Sequence, residues 1–78
     1  MLKWHKQAIK HMGNLPLHRQ NQINQAISYL PYEGDIKKLK GSKGRFRLRV
    51  GDYRIIYRLT GNDIHIDDVT PRGSAYKY

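Results

Sequence analysis

The chain is short, strongly basic and free of cysteine. It has 78 residues, with 15 Lys and Arg against 6 Asp and Glu, and a formal net charge of +9. This length predicts a single small domain over residues 1–78, and the lack of cysteine excludes disulfides and thiolate zinc sites. No stretch has the length and apolarity of a signal sequence or membrane helix, so we expect a soluble, cytoplasmic protein with no membrane partner.

The first third of the sequence predicts a short strand followed by two helices. Residues 2–4 are a candidate strand. Over residues 5–12 apolar side chains recur at helical spacing, and Gly13 stands where a C-terminal cap is expected. Pro16 suits the first turn of a second helix. That helix is predicted to carry an apolar stripe and to end at Pro31; the stripe is Ile23, Ala26, Ile27 and Leu30.

After residue 34 the apolar period changes to two, which is typical of β-strands. The predicted strands cover residues 36–40, 45–50, 53–59 and 64–69. Gly51-Asp52 has glycine in the first position of a two-residue turn, which is typical of a type II′ hairpin. The predicted fold is α+β: an N-terminal short strand and a helical hairpin packed on one face of a curved antiparallel β-meander.

Basic residues are concentrated in the strand region. Between residues 37 and 58 there is one acid, Asp52, against nine basic side chains, namely Lys37, Lys38, Lys40, Lys43, Arg45, Arg47, Arg49, Arg54 and Arg58. This clustering is typical of a protein that binds a polyanion: RNA, DNA or an acidic segment of another protein. The alternative is a charge distribution that serves solubility alone.

The turn at 51–52 predicts the register of its hairpin. Apolar pairs such as Leu48–Ile55 then face the helices, and the opposite face receives the pairs Arg49–Arg54, Arg47–Ile56 and Arg45–Arg58. If Leu59 pairs with Ile64 in the next hairpin, that register also places His65 beside Arg58, Asp67 beside Ile56 and Val69 beside Arg54. Asp68 falls opposite Ile55 on the packed face, unless it lies at the sheet edge or a bulge turns it outward.

In each of the pairs Arg49–Arg54 and Arg45–Arg58, two positive charges lie directly opposite each other and repel. An anion bound between them removes that penalty, and arginine grips phosphate through two parallel hydrogen bonds. We therefore interpret the open face as a phosphate-binding surface. The alternative interpretation is a solvated face whose arginines point into water.

Three segments carry a resemblance to a known family. They are Lys38-Leu39-Lys40-Gly41, the run from Phe46 to Arg58 (FRLRVGDYRIIYR), and the run from Val69 to Tyr76 (VTPRGSAY). Together they resemble the RelE/ParE superfamily of toxins from type II toxin–antitoxin systems, with the RelE-like branch favoured. The strand–Gly-Asp-Tyr-Arg–strand segment is the most specific of the three.

The resemblance implies a metal-free ribonuclease without cofactors that cuts mRNA in the ribosomal A site. The 2′-hydroxyl attacks the adjacent phosphate, which requires a base, positive charge and an acid. By position, Arg47 and Arg49 match family basic residues, Arg54 matches a phosphate-binding arginine, Arg72 an acid or charge stabiliser, and Tyr76 a residue that orients a base. The remaining basic side chains would contact RNA: Lys37, Lys38, Lys40, Lys43, Arg45 and Arg58.

The sequence departs from the family pattern at two positions. The best-known RelE members have lysine at the positions of Arg47 and Arg49, and arginine is a poor general base because it stays protonated. His65 is therefore our candidate base, against the alternative of an ordinary strand histidine. Asp67 is a second candidate, interpreted mainly as an ion-pair partner of Arg47. The spacing of the helical histidines indicates no metal site.

Two rival functions remain open from the sequence. A ParE-like toxin of the same fold would inhibit DNA gyrase, and a non-catalytic RNA-binding domain would bind RNA without arresting growth. Either toxin interpretation implies an antitoxin with an acidic or amphipathic segment, and a toxin that is monomeric alone or part of a hetero-oligomer. The nuclease interpretation adds the ribosome and mRNA as partners.

Overall fold

Over the residues that the structure describes, the helices and strands occur in the order that the sequence predicts: one short strand, two helices and then four strands. A computed structural model describes residues 1–41 and 44–71, and within them the elements are β1 (Leu2–Trp4), α1 (Lys6–Gly13), α2 (Leu17–Ile27), β2 (Asp35–Lys38), β3 (Arg45–Val50), β4 (Tyr53–Thr60) and β5 (Asp63–Pro71). The strands form one sheet in the order β1-β5-β4-β3-β2. Strands β2 to β5 make an antiparallel meander, which confirms the predicted α+β fold.

The first helix begins at a histidine cap and buries one face. His5 has an extended backbone, and its Nδ1 accepts a hydrogen bond from the Gln7 amide at 3.1 Å. Ala8 and Met12, four residues apart, point into the core. The prediction for Gly13 is wrong: it is the last helical residue, and Asn14 caps the helix in a right-handed conformation.

The second helix is shorter than predicted. Pro16 is its N-cap, one residue before the first turn. The helix buries Ile23 and Ile27 and ends there, so Leu30 lies in the core beyond the helix rather than within it. Neither helix among the described residues has the length and apolarity needed to cross a bilayer.

The core lies between the helices and one face of the sheet. Leu48, Ile55 and Tyr57 from the sheet pack with the buried side chains of α1 and α2. The rings of Phe46 and Tyr57 stack at a centroid distance of 5.4 Å, and burial raises the pKa of Tyr57. Because side chains alternate along a strand, the arginines of β3 and β4 occupy the opposite, open face.

The β3–β4 hairpin has the predicted register. Its pairs include Arg49–Arg54, Arg47–Ile56 and Arg45–Arg58. Gly51 has φ +57°, and no described non-glycine residue has a positive φ. A positive φ followed by a negative one is the type II′ pattern, so the predicted turn is confirmed.

A bulge changes the register of the β4–β5 hairpin. The pairs Leu59–Ile64 and Arg58–His65 are as predicted, but β5 then carries one extra residue, and Ile56 pairs with Asp68. The predicted position of Asp67 beside Ile56 is therefore wrong. Val69 beside Arg54 is also wrong, because the extra residue places Thr70 there and Val69 opposite Ile55.

The same bulge accounts for Asp68, which did not fit the predicted register. Its side chain is 4% exposed. One carboxylate oxygen accepts a hydrogen bond from Gln7 Nε2 at 2.7 Å, and the other lies 2.6 Å from His11 Nδ1 and 2.8 Å from the Val69 amide. Asp68 thus joins the last strand to α1.

The first strand closes the far edge of the sheet. It pairs in parallel with β5, with Leu2 opposite Ile64 and Trp4 opposite Ile66, a pairing that the sequence did not predict. Hydrogen bonds from the Met1 ammonium and from Lys3 hold the pKa of Asp63 below its ordinary value. These contacts fasten β1 to the start of β5.

Candidate functional site

Strand pairing places the arginines of β3 and β4 in three cross-strand rows, in which Ile56, Asp68 and Thr70 are buried members. Strand pairing defines the rows as Asp35–Arg49–Arg54–Thr70, Lys37–Arg47–Ile56–Asp68 and Arg45–Arg58–His65–Lys3. We call Arg45, Arg47, Arg49, Arg54 and Arg58 the arginine face. The predicted clustering of these arginines is thus present, and β2 extends it with a lysine and an acid.

One end of the arginine face is partly neutralised by an internal ion pair. Arg58 donates from Nε and Nη2 to the two carboxylate oxygens of Asp67, at 2.7 and 3.0 Å. Asp67 is 10% exposed, and Arg45 Nε lies 3.9 Å from the same carboxylate. The hydrogen bond that Arg58 donates to Asp67 raises the pKa of Arg58. The predicted pairing of Asp67 with Arg47 is wrong, because the bulge turns Asp67 towards Arg58.

The middle of the arginine face holds a looser ion pair. Arg47 Nη2 lies 3.3 Å from Asp35 Oδ1, which is a single contact at the limit of a hydrogen bond. The Arg47 side chain is only 15% exposed, whereas that of Asp35 is 60% exposed. The guanidinium is therefore fixed against the sheet while its acidic partner is largely in solvent.

A cationic groove opens beside this pair. It has a volume of about 370 Å³ and is lined by Lys37, Lys38, Leu39, Lys40, Arg47 and Arg54. We call it the basic groove. Three strands and the segment after β2 contribute to it, so residues distant in the sequence meet there. Arg49 is exposed and lies next to Arg54 across the strands.

Two donors on the arginine face are buried without a partner. Within the described part of the chain, Arg47 Nε and Arg54 Nε have no hydrogen-bond acceptor. A buried donor left unpaired costs about 1–3 kcal/mol, and more when it is charged. Both arginines line the basic groove, so an anion bound there is positioned to supply acceptors and charge.

The candidate base stands apart from the groove. His65 is partly buried and pairs with Arg58 on one side and Lys3 on the other. Its row contains Arg58, whose guanidinium binds Asp67, whereas Lys37, Arg47 and Arg54 of the basic groove belong to the other two rows. The structure therefore does not bring His65 together with Arg47 and Arg54.

Three predicted site residues, Lys43, Arg72 and Tyr76, lie outside the described residues. Over residues 1–41 and 44–71 no cluster of three or more His, Asp or Glu side chains is arranged to hold a metal ion.

Sequence reasoning missed Asp35 as part of this face. It lies directly before the predicted strand 36–40, and alternation puts it on the same side as Lys37. The signal was incomplete, because the connection from β2 to β3 is too long for a turn type to set the register.

A helical hairpin that covers one face of this sheet, with a cationic face opposite, is the architecture expected of RelE/ParE toxins. The family model for the ParE toxin of type II toxin–antitoxin systems (parDE) matches residues 2–76. The chain therefore belongs to this family of type II toxins.

Curated relatives extend over nearly the whole chain. Toxin RelE3 of Methanocaldococcus jannaschii is 34% identical over 80 residues, covering 94% of this chain and 91% of that protein. Putative toxin RelE1 of the same organism is 35% identical over 81 residues, covering 94% and 90%. By sequence, the chain is thus similar to the RelE members of the superfamily.

Solved structures agree with this assignment. The archaeal RelE–RelB complex from Pyrococcus horikoshii matches with a TM-score of 0.78 and 33% identity, covering 95% of this chain and 96% of that one. The isolated Escherichia coli RelE toxin matches with a TM-score of 0.79 at 16% identity, over 96% and 86%. The second likeness is one of fold alone.

Proposed function

We propose that this toxin is a ribosome-dependent mRNA interferase, an endoribonuclease that cleaves mRNA in the ribosomal A site. The observation that carries the proposal is the basic groove, in which two buried guanidinium donors have no partner among the described residues. Similarity to curated RelE toxins supports it. Such a groove favours a phosphodiester as its ligand, because the phosphate oxygens can accept two parallel hydrogen bonds from the planar guanidinium of an arginine.

The proposed reaction is an internal transesterification. The 2′-oxygen of one nucleotide attacks the adjacent phosphorus, the bond from phosphorus to the 5′-oxygen breaks, and the products are a 2′,3′-cyclic phosphate and a 5′-hydroxyl. The 2′-hydroxyl loses a proton and the leaving 5′-oxygen gains one. Negative charge grows on the phosphoryl oxygens in the transition state, and fixed cations there lower the barrier.

Arg54 and Arg47 are proposed to stabilise that charge. Both present buried Nε donors beside the groove, so little reorganisation is needed when charge develops. Arg49, exposed next to Arg54, is proposed to contact the same phosphate or its neighbour. Arg72 as acid or charge stabiliser and Tyr76 as the residue that orients a base remain proposals from the family motif.

The general base is a separate question. His65 stays our candidate base, but its place beside Arg58, outside the groove lining, favours a mechanism that depends mainly on charge stabilisation. Substituting His65→Ala separates the two: a catalytic base predicts a large loss of cleavage and a changed pH profile, whereas an ordinary strand histidine predicts neither.

The proposed partners are an antitoxin, the ribosome and mRNA. Relatives have been solved as RelE–RelB complexes from Pyrococcus horikoshii and Methanococcus jannaschii. The first 32 residues of this chain, which include both helices, contain no Asp or Glu. The helical layer is therefore basic as well, and we expect the antitoxin to bring an acidic or amphipathic segment.

The decisive experiment is primer extension on mRNA from a reconstituted translation reaction. We expect cuts at A-site codons with the native chain, and a loss of roughly a hundredfold in cleavage rate for Arg54→Ala, the magnitude typical of losing one fixed transition-state donor. Lys10→Ala, which removes the same charge from the exposed side of α1, is the matched control and should cut normally. Intact mRNA with the native toxin contradicts the proposal.

A second candidate function follows from the matching family model, which describes a ParE toxin. A ParE-like toxin inhibits DNA gyrase and leaves mRNA intact. Supercoiling assays with purified gyrase therefore accompany the primer extension, and inhibition of gyrase together with uncut mRNA favours this second function.

A further inference from the structure

We propose that Asp35 is an internal competitor for the RNA phosphate at Arg47, an acid that holds this guanidinium until a polyanion displaces it. The inference rests on the proposed function in taking RNA as the ligand. The Arg47–Asp35 contact, the exposure of Asp35 and the basic groove carry the argument.

The position of Asp35 follows from the strand pairing. Asp35 opens β2 and pairs with Arg49, while Lys37, two residues later on the same face, pairs with Arg47. The Asp35 carboxylate reaches diagonally to Arg47, with Oδ1 at 3.3 Å from Nη2. It is thus an acid at the rim of a groove whose charged lining residues, as far as the chain is described, are all basic.

The contact has the properties of an exchangeable pair. Asp35 is 60% exposed and makes one long contact, and an ion pair with a solvent-exposed partner is weak. Asp67, by comparison, is 10% exposed and binds Arg58 through two short hydrogen bonds. The same face therefore combines a fixed acid, Asp67, with a displaceable one, Asp35.

A long polyanion makes enough contacts to outweigh the displacement of Asp35, whereas a small anion does not. A small anion that enters the groove competes with Asp35 for Arg47 and gains little. An RNA strand engages Arg47 while its neighbouring phosphates meet Lys37, Lys38 and Lys40, so it gains several contacts for the one that is exchanged. Asp35 thereby lowers the affinity of the groove for any single anion and leaves binding dependent on a chain of phosphates.

The test is RNA binding to the purified chain, measured by fluorescence anisotropy with a labelled ten-residue oligouridylate. Asp35→Asn should bind about two- to fivefold more tightly than the native chain, which corresponds to removing an exposed ion pair. Asp52→Asn, in the exposed β3–β4 turn, makes the same change in net charge and controls for long-range electrostatics. An equal gain in both variants overturns the proposal.

A double-substitution cycle assigns the effect to Arg47. In an Arg47→Gln background the gain from Asp35→Asn should disappear, because the guanidinium that Asp35 occupies is gone. A gain that persists there contradicts the proposal, and thermal melts of each variant verify folding. The binding assay contains no ribosomes, so its result is independent of the mRNA-cleavage assay. If Asp35 and Arg47 are coupled in RNA binding but mRNA stays uncut, the interferase proposal is wrong and the role of Asp35 as a competitor for bound anions stands.

Discussion

Asp67 and Asp68 of β5 show that a register shift of one residue determines which partners a side chain contacts. Asp67 serves the open face and binds Arg58, whereas Asp68 is buried against Gln7 and His11 of α1. The bulge between Ile56 and Tyr57 separates their roles. Without it, regular alternation would place the second acid among apolar side chains, where an unpaired carboxylate is strongly unfavourable.

Asp67→Asn tests the fixed ion pair of the arginine face. The amide retains the volume but loses the charge and one acceptor, leaving Arg58 beside Arg45 with weaker compensation. We expect the free energy of unfolding to fall by roughly 1 kcal/mol, after allowing for the partial exposure of Arg58. Urea unfolding measures it, with Asp52→Asn as control. Equal midpoints for the two variants would show that the pair contributes nothing.

At the scale of elements, the β3–β4 hairpin was predictable because a two-residue turn permits one register. The β4–β5 pairing was predictable only as far as Arg58–His65, since nothing in the residues of β5 marks the extra one. The helix ends were less predictable. Glycine is the residue type typical of a left-handed C-terminal cap, but Gly13 is still helical and Asn14 caps the helix.

Gly51→Ala tests how strongly the turn fixes the arginine face. Its φ is +57°, where a side chain is unfavourable, although an added Cβ would make only ordinary van der Waals contact, with the nearest atom at 3.7 Å. We expect a loss of about 1 kcal/mol in unfolding free energy from backbone strain alone.

Gly13→Ala is the matched control for that substitution. Gly13 is helical and has nothing within 4 Å of an added Cβ, so alanine should stabilise the protein by about 0.5–1 kcal/mol. The two variants thus make the same chemical change with opposite expected signs. Chemical denaturation measures both, and a loss of stability in both would exclude the turn as the cause.

Over the whole molecule, positive charge surrounds the sheet and the helices alike, but its geometry differs. The helical layer carries scattered basic residues, whereas the open face gathers them around one groove. Composition alone predicted a polyanion partner. It did not predict which cations already have internal partners, because those pairs depend on Asp35 from the edge strand and on Asp67 from the bulge.

Salt dependence tests whether the groove lysines contact phosphates. For single-stranded RNA the logarithm of the affinity should fall with the logarithm of salt concentration by about 0.7 per phosphate contacted. Lys38→Gln should reduce that slope by roughly 0.7, since Lys38 lines the groove. Lys10→Gln on α1 is the control and should leave the slope unchanged. Identical slopes for the two variants count against the groove as the RNA path.

The parallel pairing of β1 with β5 affects how the toxin folds while it is being synthesised. The strand at the start of the chain finds its partner only in residues 64–66, and the helices that follow it have their apolar faces against strands made later. A nascent chain therefore emerges from the ribosome with an unpaired edge and uncovered helices until its last strand is synthesised. The sheet can therefore close only once β5 has been synthesised, which gives an antitoxin already present the chance to meet the toxin as it folds.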